Sequence, residues 1–139
     1  MAESAPAKKM KLRPGSRVAI LNAPEGYRKE LAPLPTDVEL VGQLRGKFDW
    51  IQLFVRTRTE LEASAPRAIA ALRPESMLWI SFPKGSSKIQ TDLTRGKGWE
   101  TLRTVDLKWV NLISVNDTWS VFALRPYKPG ESKQKPPWA

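Results

Sequence analysis

The sequence contains no cysteine and no histidine among its 139 residues. Without cysteine there are no disulfide bonds, thiolate metal sites or cysteine nucleophiles, and the composition fits a reducing compartment. Without histidine the chain lacks the commonest metal ligand and the commonest general base near neutral pH. We therefore expect no metal site and assign no catalytic residue, so any chemistry has to rest on Asp, Glu, Lys, Tyr, Ser or Thr.

Long apolar runs are also missing from the sequence. No segment approaches the roughly 18 consecutive apolar residues that a membrane helix needs. The Lys-rich start of the chain is not followed by the apolar stretch that a signal peptide requires. We therefore expect a cytoplasmic protein with no membrane partner, and its length is typical of a single domain.

Positive charge is in excess, with 23 Lys and Arg against 14 Asp and Glu and a net charge of +9. Much of the excess lies at the two ends, which are poor in aliphatic residues. We predict a flexible basic tail over residues 1–11, one domain over 12–125 and a flexible tail rich in Pro and Lys over 126–139. Solvated tails are the simpler interpretation, and tails that hold a nucleic acid are the alternative.

Three short, largely apolar runs end at Asn22, Val55 and Phe82. Such runs are typical of strands covered on both faces, as in a parallel sheet. A briefer stretch over 38–41 predicts an edge strand, and two later runs around Asn116-Asp117 predict an antiparallel hairpin. Since helical segments alternate with the early strands, we predict an α/β fold with three layers and a mostly parallel sheet that ends in this hairpin.

The helices are predicted mainly from their starting signals. A capping-box pattern from Thr59 to Glu62 predicts a helix that runs to about Leu72. Shorter helices are expected over 28–31 and from residue 91 or 92 to 102.

Polar residues follow three of the predicted strands, and open parallel sheets bind their ligands beyond these carboxyl ends. If the strands are adjacent, cationic side chains and the helix amides after Thr57 meet at one rim, which favours an anionic ligand. The predicted anion-binding residues are Arg56, Arg58, Lys84, Ser86, Ser87 and Lys88. The loops of the same crevice contribute Asn22, Glu25, Gly26, Tyr27 and Asp92.

A purely structural role for these residues is the alternative. Arg56 would then pair with Glu25 or Asp92 to tie loops together, and residues 85–87 would form a mobile turn. Glu25, Asp92 and Tyr27 are conceivable acid–base groups, but nothing in their spacing requires them to meet. The sequence therefore favours binding over catalysis.

Two strand-opening turns are similar to motifs of S-adenosylmethionine-dependent methyltransferases, whose Rossmann-like sheet also ends in an antiparallel hairpin. They are Leu12-Arg13-Pro14-Gly15 and Leu72-Arg73-Pro74, and the resemblance runs from about Leu12 to Leu124. Where that family has Gly-x-Gly-x-Gly after the first strand, this chain has Asn22-Ala23-Pro24-Glu25-Gly26. Glycines let the backbone approach a ligand and adopt positive φ angles, and Pro24 allows neither. We therefore expect a methyltransferase-like fold without a cofactor, and S-adenosylmethionine is the less favoured alternative.

The chain also resembles a family of bacterial proteins of this length whose function is unknown. Four of its motifs are present here: Ala23-Pro24-Glu25-Gly26, Phe54-Val55-Arg56, Trp79-Ile80-Ser81-Phe82-Pro83-Lys84 and Asp117-Thr118-Trp119-Ser120. The leading hypothesis is a non-catalytic, methyltransferase-like module that binds an anionic small molecule or a protein partner at the strand-end crevice. The alternatives are a small S-adenosylmethionine-dependent methyltransferase and a nucleic-acid accessory protein that uses its basic tails.

Overall fold

The computed structural model describes residues 5–42, 44–85, 91–93, 98–99, 102 and 107–132. Within these residues the chain forms six strands and three helices. The strands are β1 (Arg17–Leu21), β2 (Glu39–Val41), β3 (Phe48–Phe54), β4 (Leu72–Pro83), β5 (Leu107–Ser114) and β6 (Trp119–Pro126). The helices are α1 (Ala5–Lys9), α2 (Tyr27–Leu31) and α3 (Arg58–Ala70). None of these three helices has the length and apolar character needed to span a membrane.

A single six-stranded sheet with the order β2-β1-β3-β4-β6-β5 organises the fold. The first four strands in this order are parallel, and β6 runs antiparallel to both β4 and β5. Ile20 of β1 lies opposite Gln52 of β3. The runs that end at Asn22, Val55 and Phe82 therefore lie side by side and point the same way. The predicted α/β fold, with a mostly parallel sheet and a terminal antiparallel hairpin, is confirmed.

Helices cover both faces of the sheet, and apolar side chains are buried in two clusters. Alternate residues of β3 contribute to opposite clusters, as the pleat of a strand requires. Ile51 and Leu53 belong to the cluster under α3, whereas Trp50 and Phe54 belong to the cluster under α1 and α2. Burial on both faces explains why the central parts of the central strands, over 50–55 and 77–82, are apolar almost throughout.

Residues 5–11 belong to the packed domain, although the sequence predicted a flexible tail there. Ala7 and Met10 are fully buried, and Leu12 is 3% exposed. The indole N–H of Trp50 donates a hydrogen bond of 2.9 Å to the carbonyl oxygen of Met10. The tail prediction is wrong for this segment because its few apolar residues, spread among lysines, give no recognisable helical pattern.

The chain after β6 is held through Glu131. Its carboxylate accepts hydrogen bonds from Arg125 at 2.7 Å and from Lys108 at 2.8 Å. These two cations hold the pKa of the Glu131 carboxyl well below its usual range. The predicted C-terminal tail is therefore anchored as far as Glu131. Residues 133–139 lie outside the described residues, so the prediction for them stays a prediction.

The helix α3 begins earlier than the capping-box pattern predicted. Thr57 is the N-cap, and its hydroxyl accepts a hydrogen bond of 3.2 Å from the amide of Glu60. The Glu60 carboxylate in turn accepts a hydrogen bond of 3.1 Å from the amide of Arg56. The cap therefore spans Thr57 to Glu60 instead of Thr59 to Glu62. The helix also ends at Ala70, because Leu72 already pairs with Phe48 in the sheet.

Candidate functional site

The carboxyl ends of β1 and β3 form the point at which the sheet reverses its direction of growth. After β1 the chain passes to β2 on one side, and the next strand, β3, lies on the other side of β1. Ligands of open α/β sheets bind at such a reversal, because the loops leaving the two strands diverge and open a crevice. The candidate site is therefore the edge of the sheet beyond Leu21 and Phe54.

The loop after β1 turns sharply although it has no glycine-rich motif. Asn22 has a φ of 59° and Gly26 has a φ of 83°. Both lie in the left-handed region, which glycine adopts readily and asparagine tolerates better than most other residues. The loop therefore takes its positive φ angles on either side of Pro24. Asn22, Glu25 and Gly26 are exposed at the crevice.

A groove of about 630 Å³ begins at the carboxyl ends of β1 and β2 and runs beside α3. It lies on the side of the sheet that α3 covers, where the short β2–β3 connection leaves room. A Cβ atom added at Gly42 would meet nothing within 4 Å, so this part of the groove is open. The volume falls in the range of roughly 300–1,000 Å³ that small-molecule sites occupy. The groove is lined by Leu21, Gly42, Leu44, Gly46, Arg67, Ala70 and Ala71.

Two of the predicted cationic residues, Arg56 and Lys84, follow neighbouring strands at the rim of the sheet. Arg56 is exposed two residues after the end of β3. Lys84 follows β4, and its ammonium group donates a hydrogen bond of 2.6 Å to the hydroxyl of Ser114 on β5. Lys84 therefore reaches toward the hairpin, where it lines a second groove of about 480 Å³. Ser86, Ser87 and Lys88 lie outside the described residues, so their predicted role stays a prediction.

The carboxylate of Asp92 lies at the start of α3. It accepts a hydrogen bond of 2.8 Å from the backbone amide of Arg58, the first residue of the helix. Asp92 therefore ties its loop to α3 through the backbone of Arg58. A carboxylate at this position complements the helix dipole. Residues 91–93 are not helical, and most of the helix predicted to run to residue 102 lies outside the described residues.

Tyr27 lies beneath the crevice and anchors its loop. It is the first residue of α2 and is 1% exposed. Its hydroxyl donates a hydrogen bond of 2.7 Å to the side-chain oxygen of Gln52, whose amide donates one of 2.9 Å to the hydroxyl of Ser81. This chain of buried polar groups links α2 to β3 and β4, and it fixes the end of the loop that begins at Asn22.

Burial raises the pKa of the Tyr27 hydroxyl well above its ordinary value, and the negative charge of Glu30 acts in the same direction. The folded protein therefore keeps this proton at a pH where the unfolded chain releases it. Above pH 10 we expect the free energy of unfolding to fall by about 1.4 kcal/mol per pH unit more in the wild type than in Tyr27→Phe. Urea unfolding of both proteins between pH 8 and pH 11 measures this, and parallel curves would contradict the buried hydroxyl.

The residues considered for acid–base chemistry do not meet. The Tyr27 hydroxyl is hydrogen-bonded to Gln52, and the Asp92 carboxylate to the backbone amide of Arg58 at the start of α3. Glu25 is exposed in its loop. In the part of the chain that the structure describes, no group of three acidic side chains is placed to hold a metal ion.

Two side chains that matter here were not identified from the sequence. Gln52 is fully buried, and the hydroxyl of Ser114 accepts a hydrogen bond from the ammonium group of Lys84. Gln52 is the one polar residue in the apolar run over 50–55, and that signal could have identified it, because buried polar groups need partners. Ser114 gave no such signal, since its contact depends on the fold.

Comparison with known proteins relates the chain to methyltransferases through its structure. No protein-family model matches the sequence, and no curated protein is similar to it. TrmN from Thermus thermophilus matches with a TM-score of 0.58 and 11% identity over 88% of this chain and 47% of TrmN. The DhpI–SAH complex matches with a TM-score of 0.57 and 12% identity over 83% of this chain and 78% of DhpI.

A SAM-dependent methyltransferase from Aquifex aeolicus also matches, with a TM-score of 0.52 and 13% identity over 87% of this chain and 89% of that protein. The chain thus spans about half the length of TrmN and most of the length of the Aquifex protein. These comparisons contradict the expectation of a domain without a cofactor, because proteins of this fold include one in complex with SAH and one described as SAM-dependent. The chain has a Rossmann-like, methyltransferase-like fold.

Proposed function

We propose that this domain binds S-adenosylmethionine at the carboxyl edge of the sheet and acts as a small methyltransferase. The observation that carries the proposal is the reversal between β1 and β3, with the left-handed Asn22 directly after β1. This turn leads the chain away from the strand end as a glycine would, and so keeps the crevice open. The alternative hypothesis of a methyltransferase is thus better supported than the non-catalytic module that the sequence favoured.

The residues around the crevice fit this cofactor. In the described backbone no carbonyl accepts a hydrogen bond from the amides of Glu25 and Gly26, so both remain available to a ligand. Gly42 leaves open space at the end of β2, and Arg67 offers a guanidinium group that can pair with a carboxylate. The loop and the groove would together hold the cofactor, with the loop at the reversal and the groove beside α3.

The bound cofactor would supply an activated methyl group, and the protein would hold the methyl acceptor in position beside it. The rim of the crevice offers cations and backbone donors, and among the described residues it holds no aligned acid–base pair. The proposal therefore relies on orientation of the acceptor against the methyl group, which by itself contributes a large part of many rate enhancements.

Calorimetric titration with S-adenosylmethionine tests the proposal. We expect binding to the wild type and a rise in its thermal midpoint with cofactor concentration, because a ligand of the native state stabilises it by mass action. Gly42→Trp should weaken binding at least about tenfold, or about 1.4 kcal/mol, since the new side chain fills the open part of the groove.

Gly85→Trp is the matched control. A Cβ atom at Gly85 also meets nothing within 4 Å, but Gly85 lines the second groove beside the hairpin. We expect this variant to bind the cofactor as the wild type does. Absence of binding to the folded wild type, or equal weakening by both substitutions, would contradict the proposed site.

A further inference from the structure

The surface formed by α1 and α2 carries a concentration of positive charge, which we call the basic face. The two helices pack against each other through a shared buried cluster that includes Ala7, Met10 and Leu31. Six cationic side chains of the two helices and of the residues that follow α1 are exposed: Lys8, Lys9, Lys11, Arg13, Arg28 and Lys29.

Little negative charge lies beside these cations. The acidic residues of the same segment are Glu25 and Glu30, and Glu30 accepts a hydrogen bond of 2.8 Å from the side-chain amide of Asn116. None of the ion pairs found among the described residues uses a cation of the basic face. On the opposite side of the sheet, α3 carries two arginines and two glutamates and is balanced.

The packing of α1 against the core fixes the positions of its positive charges. Lysines on a flexible tail would repel one another and spread apart, whereas the buried Met10 fixes Lys8, Lys9 and Lys11 at set positions. A fixed array of cations matches a polymer with regularly spaced phosphates, and it releases counterions when such a polymer binds.

The basic face continues to the carboxyl edge of the sheet. The ammonium group of Lys9 lies 3.3 Å from the carbonyl oxygen of Ser114, and that of Lys84 lies 2.6 Å from the hydroxyl of the same residue. Two cations thus converge on one serine next to the hairpin turn. Each ammonium group has donors left over for a phosphate oxygen.

We propose that the basic face docks a nucleic acid and leads it to the carboxyl edge. This inference rests on the proposed function, to which it adds the class of substrate. A membrane surface is the competing polyanion, but Val110 is the one large hydrophobic side chain exposed among the described residues, and it lies on β5. Insertion into a bilayer needs apolar side chains beside the cations, and the basic face has none.

Fluorescence anisotropy with a labelled single-stranded RNA, a single-stranded DNA and a duplex DNA tests the proposal, over salt concentrations from 50 to 200 mM. We expect the affinity of the wild type for at least one of these probes to fall steeply with salt. The double variant Lys8→Glu, Arg28→Glu should bind at least about tenfold more weakly and lower the salt slope by about 2, since it loses two phosphate contacts. Neither side chain makes a hydrogen bond within the described residues, so the fold should persist.

Arg45→Glu combined with Lys128→Glu is the matched control, because it changes the net charge equally at exposed positions away from α1 and α2. We expect it to reduce affinity less than about threefold. Equal loss in both variants, no binding by the wild type, or capture by phosphatidylserine vesicles without binding of nucleic acid would overturn the proposal. Calorimetry with S-adenosylmethionine on the same samples separates the two proposals. A protein that binds the cofactor but no nucleic acid would contradict only the proposed role of the basic face.

Discussion

Removal of residues 2–11 should cost the domain about 4 kcal/mol or more of its free energy of unfolding. The deletion takes away Met10, which is fully buried, and truncation of a buried methionine to alanine alone costs about 2–5 kcal/mol. It also removes the carbonyl that accepts the indole N–H of Trp50, and a buried donor without a partner costs about 1–3 kcal/mol. Since small domains are stable by only about 5–15 kcal/mol, the deletion variant should unfold at a much lower urea concentration than the wild type.

Urea unfolding followed by tryptophan fluorescence measures this loss. Met10→Ala should reproduce at least half of it in the full-length chain. Lys8→Ala and Lys11→Ala change exposed side chains of the same segment and should stay within about 0.5 kcal/mol of the wild type. A deletion variant that unfolds at the wild-type urea concentration would show that α1 contributes nothing to the core.

The sheet could be predicted from the sequence because burial on both faces leaves a direct trace. The runs over 18–21, 50–55 and 77–82 are apolar at almost every position, and Asn116-Asp117 lies between two further such runs. These patterns depend only on neighbours along the chain. They therefore gave the parallel strands, the edge strand and the hairpin correctly.

The errors arose where local patterns were ambiguous or weak. Thr57 and Thr59 both stand three residues before a glutamate, so the sequence offers two capping boxes, and only the end of β3 decides between them. In α1 the burial depends chiefly on Met10 and Ala7, which are hidden among lysines. A helix of five residues has too few turns to show a periodicity.

The candidate site could be located but not described in detail from the sequence. Parallel strands with known ends imply a crevice at their carboxyl edge, and this much follows from the pattern. The positive φ of Asn22 and the space beside Gly42 depend on how the loops pack, which no motif in the chain encodes. The absence of a glycine-rich motif therefore does not exclude this turn, since an asparagine can make it.

Replacement of Gln52 by methionine should lower the free energy of unfolding by about 2–4 kcal/mol although it preserves the volume of the side chain. Gln52 is fully buried, and its amide group joins the hydroxyls of Tyr27 and Ser81. Methionine leaves the Tyr27 hydroxyl without an acceptor and the Ser81 hydroxyl without a donor. Each unsatisfied buried group costs about 1–3 kcal/mol, because it has lost its hydrogen bonds to water and forms none within the protein.

The compensated variant separates this cause from a simple packing defect. Tyr27→Phe and Ser81→Ala, added to Gln52→Met, remove the two stranded hydroxyls and leave an apolar layer of similar shape. Since a fully apolar replacement of a buried polar network is often nearly neutral, the triple variant should recover most of the loss and unfold within about 1 kcal/mol of the wild type. Urea unfolding of the wild type, Gln52→Met and the triple variant decides the matter. A triple variant less stable than Gln52→Met would mean that the loss comes from packing, and that the three polar groups do not act as one chain between α2 and the sheet.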